Sequence, residues 1–421
     1  MFSRFKLNDG VFFGYALVAL LLPVGGVPLS WALIVCIALW LVNTDWKEKF
    51  LTLRRQQWIM FPVGLYALVA TGFFYSDNEA DALFKLEQKL ALAIFPLMLA
   101  SIPVLTERFE QLLMRAFILG VSAVCVFNQA AALFRYTGTS DYNEFLYTSY
   151  SVAMHPTYLA LMLCLAILIL LLSLSRQPNK SATQWETWLL VLFLLINVLQ
   201  ASSRAGILAL GVVFCVVITA WWSQRDALNR NAPVMLVAVV LITVGLALGL
   251  RGYLRLHAIG NAAEAQRVEP SKVESTQVRM LIWRESLSLI KQEPLFGFGT
   301  GDVNDMLRRR YHQAGMTSAS EKSLNAHNQY LQNWLANGAL SLLLLIAWIV
   351  YGCWKSWLRG HWLALGFFGL AAFNFLFESM LERREGLFAF AFFSSVFLGG
   401  FVQEKSSSPN PSSTRSEGPF V

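Results

Sequence analysis

The chain has 421 residues, 56% of them hydrophobic and only 14% charged, with a formal net charge of +7. A soluble domain carries about a quarter charged residues, so this balance excludes an ordinary water-soluble enzyme. The positive charge follows the topology described below; no nucleic-acid recognition module is visible.

The apolar residues are laid out in runs that can cross a bilayer, each needing about 20 residues for roughly 30 Å of hydrocarbon. In chain order we read about twelve: 11–27, 28–43, 58–75, 87–104, 112–134, 157–174, 187–201, 205–222, 233–250, 329–354, 361–378 and 386–402. The fold class is all-α and polytopic, because a barrel would show alternating segments of about ten residues. Residues 1–250 form an N-terminal transmembrane bundle of about nine helices, 251–326 one large loop, 327–402 the C-terminal helices and 403–421 a disordered tail. Lys and Arg in the short connections alternate onto one side, from Arg4 and Lys6 to Lys355 and Arg359. By the positive-inside rule that side is cytoplasmic, with both termini on it and the large loop opposite. Cys36, Cys125, Cys164, Cys215 and Cys353 lie inside predicted spans and read as packing residues, without metal-ligand spacing.

The chemistry-bearing residues cluster towards the external face. Arg204 interrupts an apolar run in QASSRAGILAL, where an ionisable residue is costly and usually functional. In the large loop, residues 277–291 place Val278, Leu281, Ile282, Leu287 and Ile290 near one helical face, with Arg279 elsewhere. That pattern predicts an amphipathic helix lying at the membrane interface. Glycines 297, 299 and 301 then break the helix, and Asp302 is placed to cap a second one, DVNDMLRRRYH. GFGTG lacks the Lys-Ser/Thr of a phosphate-binding loop and reads as a tight turn. The loop ends at His327, in NAHNQYLQNWLANG, which is expected to open the next helix and so to offer a seat for an anion. Arginines bind phosphate in bidentate fashion, so Arg204, Arg279 and His327 together suit a lipid-linked phosphate substrate.

Other candidates sit around these three. Asn325, Asn328 and Gln332 can hydrogen-bond substrate hydroxyls, and Arg308, with Arg309 and Arg310, can touch phosphate or face solvent. His155, before Pro156, reads as a helix cap or a substrate contact. The turn from Glu378 to Glu385 can supply a carboxylate that orients His327, or be a boundary patch of ion pairs.

These residues resemble the bacterial O-antigen ligases. HNQYLQNWLANG fits His-Asn, nine residues, then Gly (His327, Asn328, Gly338); SSRAG at 202–206 is similar to the family's Ser-Arg-x-Gly element. VRMLIW with PLFGFGTG resembles its Arg-x-x-x-Trp helix and Gly-x-Gly turn, and HPTYLAL at 155–161 its His-Pro element. The resemblance implies an enzyme of the bacterial inner membrane whose active site and large loop face the periplasm. It would move a glycan from an undecaprenyl-diphosphate carrier to a lipid A–core hydroxyl, as a monomer, without metal or other cofactor. It further implies His327 as general base and Arg204 and Arg279 on the diphosphate. Related polymerases and O-linked oligosaccharyltransferases use the same donor. A transporter for a lipid-linked solute is the reading from another class, and would show repeats and broken helices at the midplane.

Overall fold

Backbone amides at membrane depth have no water to bond to, so a spanning chain must satisfy them within helices or a closed barrel. Helices are the solution here: no strand occurs among the described residues, which in this computed structural model are 2–42, 46–102, 105–175, 181–201, 203–223 and 276–406. The expected span at 233–250, the first part of the large loop and the tail beyond 406 lie outside them.

Among the described residues four helices are long and apolar enough to cross a membrane: Glu107–Thr139, Pro156–Leu174, Ala205–Ser223 and Gln329–Leu358. Gly26–Val42 with Trp46–Arg54, bent by 107°, makes a fifth if the pair is one span. Gly10–Leu21, Gln57–Phe73, Gln184–Gln200 and Trp362–Phe375 are apolar but shorter. The run expected at 87–104 is divided. Its front end belongs to a polar helix, Glu79–Lys89, and the rest is Ala91–Ala100 with Pro96 inside it. The core of the bundle is continuous, with Trp58, Phe95, Phe117, Trp348, Phe368 and Phe390 fully buried.

The large loop builds a helical cap with a core of its own. Helices Thr276–Ile290, Val303–Gln313 and Thr317–Glu321 bury Val278, Ile282, Leu289, Leu307 and Tyr311 against Leu335 and Ala336. The amphipathic face is therefore rotated from the expected one: Leu281 and Leu287 are exposed, and Leu289 is buried instead. The helix packs its apolar stripe onto its own cap. Asp302 also departs from expectation. It precedes the second helix but makes no side-chain cap, and its carboxylate accepts the N–H groups of Asp77 and Asn78, both at 2.8 Å.

The cap is locked into a break in the Gln329–Leu358 helix. Asn337 and Gly338 leave helical geometry there, Gly338 at φ +71°. In an unbroken helix the Ala339 N–H would bond the Leu335 carbonyl. Instead Ala339 donates to the Pro294 carbonyl (3.1 Å), and the carbonyls of Leu335 and Ala336 accept from Phe298 (2.8 Å) and Gly299 (3.0 Å). The glycine turn thus supplies the donors that the break requires. Asn337 Nδ2 donates to Thr300 Oγ1 and to the Leu68 carbonyl, tying in a third segment.

The Glu79–Lys89 helix is inside out by the standards of a soluble protein. Lys85 and Lys89 are buried while Leu83 and Phe84 are exposed. Both ammonium groups bond Glu382, Lys85 at 2.7 Å and Lys89 at 2.6 Å. Burial pushes the Glu382 carboxyl up, but the two lysines outweigh it and bring it down to about 2.

Two outcomes follow from these contacts. A Cβ at Gly338 would overlap the Leu295 carbonyl in a left-handed conformation, so Gly338→Ala should cost at least about 2 kcal/mol, read by thermal unfolding in detergent. Glu382 holds a depressed carboxyl, so its contribution is complete above the ordinary 4.5 and is lost as pH falls towards about 2. Glu382→Gln leaves two buried lysines unpaired and should cost about 3–5 kcal/mol, while flattening that acid-side loss of stability.

Candidate active site

His327 does not open the helix, as its position in the sequence suggested. The helix begins at Gln329, Asn328 is the N-cap, and His327 stands before it at φ +45°. The local sequence dictates this. Asn325 Oδ1 accepts the His327 N–H (3.0 Å), making a side-chain turn, and Asn328 Oδ1 accepts the Leu331 N–H (3.1 Å) as a cap. Gln332 Oε1 reaches back to the Ala326 N–H at 3.0 Å. A left-handed histidine costs about 1–3 kcal/mol and persists only where its surroundings over-determine it.

The surroundings here are the segment 376–381. Asn328 donates its N–H to Ser379 Oγ (3.2 Å) and its Nδ2 to the Leu376 carbonyl (3.1 Å); Gln329 Oε1 accepts the Leu381 N–H (2.6 Å). These bonds fix the register of the two segments and set Glu378 opposite His327. Both carboxylate oxygens lie 3.4 Å from His327 Nδ1. Arg279 comes from the cap helix and places Nη2 3.8 Å from Glu378 Oε2.

Glu378 is buried. Burial pushes its carboxyl up, but the hydrogen bond to His327 and the positive charges of His327, Arg279 and His155 together hold it below the ordinary glutamate range. An ionised carboxylate only accepts, so Nδ1 presents its proton to Glu378, and in the neutral form of the imidazole Nε2 is the nitrogen left to accept a proton. Arg279 spends one end of its guanidinium on a long contact and remains about a third exposed. The arrangement offers a proton acceptor held by a carboxylate, beside a cation able to meet an anion.

The expected residues divide into three groups. His327 and Arg279 are brought together through Glu378. His155 is close enough to affect that carboxylate, and its Nδ1 accepts the Thr157 N–H (3.4 Å), as a cap would. Arg204 is the first residue of its helix, and its side chain lies outside what is described; Gly206, two residues on, packs so closely on Ala160 that a Cβ there would lie 2.4 Å from the Ala160 Cβ. Both helices therefore start at the same end of the bundle. Asn325, Asn328 and Gln332 shape the turn, though Gln332 keeps an unpartnered, buried Nε2. Arg308 stands apart, paired with Asp305 at 3.1 Å and more than half exposed, and Arg310 is bonded to Glu285 at 2.6 Å.

Sequence reasoning did not single out Lys85, Lys89 or Tyr158. Tyr158 is buried with no partner for its hydroxyl and lies within electrostatic range of Glu378, Glu382, Arg383 and Glu385. The available signal was a pair of lysines one helical turn apart at the head of an apolar run. Among the described residues no three of His, Cys, Asp and Glu stand together as metal ligands.

Residues 189–346 match the family model described as O-antigen ligase. A protein of Haemophilus influenzae, described only as uncharacterized, is 25% identical over 151 residues. The match covers 35% of this chain and 37% of that relative, so the chain spans just over a third of its length. The family match takes in Arg204, Arg279, His327 and Gly338, so these residues lie in the part of the chain that is similar to O-antigen ligases.

Proposed function

We propose that the chain is an O-antigen ligase of the bacterial inner membrane, with its active site on the periplasmic side. Its donor is a glycan on undecaprenyl diphosphate and its acceptor a hydroxyl of lipid A–core. The observation that supports this most directly is Glu378 against His327 Nδ1 with Arg279 on the same carboxylate, where His327 and Arg279 lie inside the family-matching span and Glu378 lies beyond its end.

In this reading His327 Nε2 takes the proton of the acceptor hydroxyl as its oxygen attacks the anomeric carbon. The bond to the diphosphate breaks from the opposite side, the electron pair leaves with the phosphate oxygen, and configuration inverts. Arg279 and Arg204 stabilise the charge that develops there. Glu378 fixes the imidazole tautomer and stabilises the imidazolium that forms, the part an aspartate plays in a Ser-His-Asp triad. No step requires a metal.

His327→Ala should lower transfer by about 10²–10⁴-fold. Glu378→Gln, which keeps shape but not charge, should lower kcat by about 10²-fold or more. Because the Glu378 carboxyl is depressed, the substitution should also lower the unfolding temperature above about pH 5, by a difference that narrows as the pH falls. The decisive assay incubates purified protein and His327→Ala with carrier-linked glycan and, separately, lipid A–core, carrier-linked repeat units and a Ser/Thr peptide. His327-dependent product on lipid A–core alone is expected. Glycan that lengthens on its carrier would make the protein a polymerase, and product on the peptide an oligosaccharyltransferase. Carrier-linked glycan crossing vesicles without reacting would make it a transporter.

A further inference from the structure

A second concave site lies on the other side of the glycine turn. It is a cavity of about 830 Å³ between the 75–78 segment and the cap, within the ~300–1,000 Å³ range of small-molecule sites. Phe298, in its wall, is bonded to the Leu335 carbonyl, eight residues of chain beyond His327. At about 1.5 Å per residue this is roughly 12 Å of helix away. The cavity is therefore separate from the Glu378 cluster.

Its lining has a definite chemistry. The rings of Tyr75 and Phe296 are 45% and 72% exposed, so their faces are open to a ligand. Asp77 and Glu293 bring carboxylates that no side chain of the described residues pairs with. Asp305 adds a third carboxylate, already bonded to Asn78 (2.9 Å), and Arg309 is the one cation in the lining. The walls are built before any ligand arrives. Tyr75 donates to the Phe296 carbonyl at 2.8 Å, and Asp302 clamps the backbone of Asp77 and Asn78.

Carboxylates accept and never donate when ionised, so the ligand must bring hydroxyl or ammonium donors. Open aromatic faces favour a ring with an apolar C–H side. Several carboxylates against one arginine repel phosphates and uronates, so this is no second diphosphate site, and the polar walls do not suit an acyl chain. We infer that the cavity binds neutral or amino-bearing sugar units of a glycan, away from the bond being broken. That such a ligand reaches the cavity rests on the glycan-transfer reading above.

The test uses the full chain in phospholipid nanodiscs, which avoids maltoside detergents, and saturation-transfer NMR with three probes. These are N,N′-diacetylchitobiose, its de-acetylated diamine and digalacturonate. The first two should bind through their ring C–H protons and the uronate should not. Phe296→Ala, and separately Asp77→Asn with Glu293→Gln, should each weaken binding about tenfold, with His327→Ala leaving it intact. The exposed carboxylate pair is the control should Phe296→Ala lower the unfolding temperature. Absence of sugar binding, equal binding of the uronate, or binding untouched by the carboxylate pair overturns the site. Sugar binding without transfer to lipid A–core would overturn the ligase reading alone. Transfer with wild-type kcat/KM in both cavity variants would overturn the site alone.

Discussion

The break at Asn337–Gly338 holds the architecture together because it creates a debt of hydrogen bonds that only the cap can meet. The Ala339 N–H loses its helical acceptor, and it and the carbonyls of Leu335 and Ala336 bond the cap; a polar group left bare in the interior would cost about 1–3 kcal/mol. The turn from Pro294 to Gly299 meets all three, so cap and helix have one registration. Asn337 and Thr300 extend the same network to Leu68 and Val69, and Tyr75 to Phe296. Arg279, His327 and the 75–78 segment, far apart in sequence, are therefore positioned by one set of backbone contacts.

Two buried glutamates, one turn of chain apart, show how burial divides structural from functional charge. Glu382 is saturated: an ammonium sits within 2.7 Å of each oxygen, and a glutamine side chain, Gln88, bonds its carbonyl. Nothing remains for a ligand. Glu378 is held more loosely, with its partners at 3.4 and 3.8 Å. A carboxylate shared at such distances keeps capacity to respond when the charge of His327 rises or when an anion draws on Arg279. The contrast separates a carboxylate consumed by the fold from one that keeps capacity for the proposed chemistry.

Helical class and the tight glycine turn were legible in the sequence, because each rests on local pattern. Hydropathy runs reveal apolar length, and glycines reveal where backbone must come close. What was not legible depends on tertiary partners. The spans could not be counted from runs alone, since a run such as 87–104 hides the change from a lysine-bearing helix to Ala91–Ala100. The buried face of Thr276–Ile290 was misassigned because apolar residues occur on two sides, and only packing against Leu307 and Tyr311 selects one. Lys85 and Lys89 were missed because cations are ordinarily turned outward, and here the outward face is apolar. The place of His327 before the helix, and not in it, depends on Asn325 and Asn328 side chains competing for the same backbone donors that a longer helix would use.

The interrupted helix has a mechanical consequence. Because the hydrogen-bond ladder is cut at Asn337–Gly338 and its upper strands are tied to the cap, the short rod carrying His327 moves with the cap. The longer rod below, Ala339–Leu358, is joined to it through two non-helical residues and pinned at its head, where Ala339 bonds the Pro294 carbonyl and Ser341 bonds Asn333. Changes in bilayer thickness are absorbed by tilting of spans, and the lower rod can tilt while His327, Glu378 and Arg279 keep their spacing. The break thus insulates the site from the mechanics of the lipid around it.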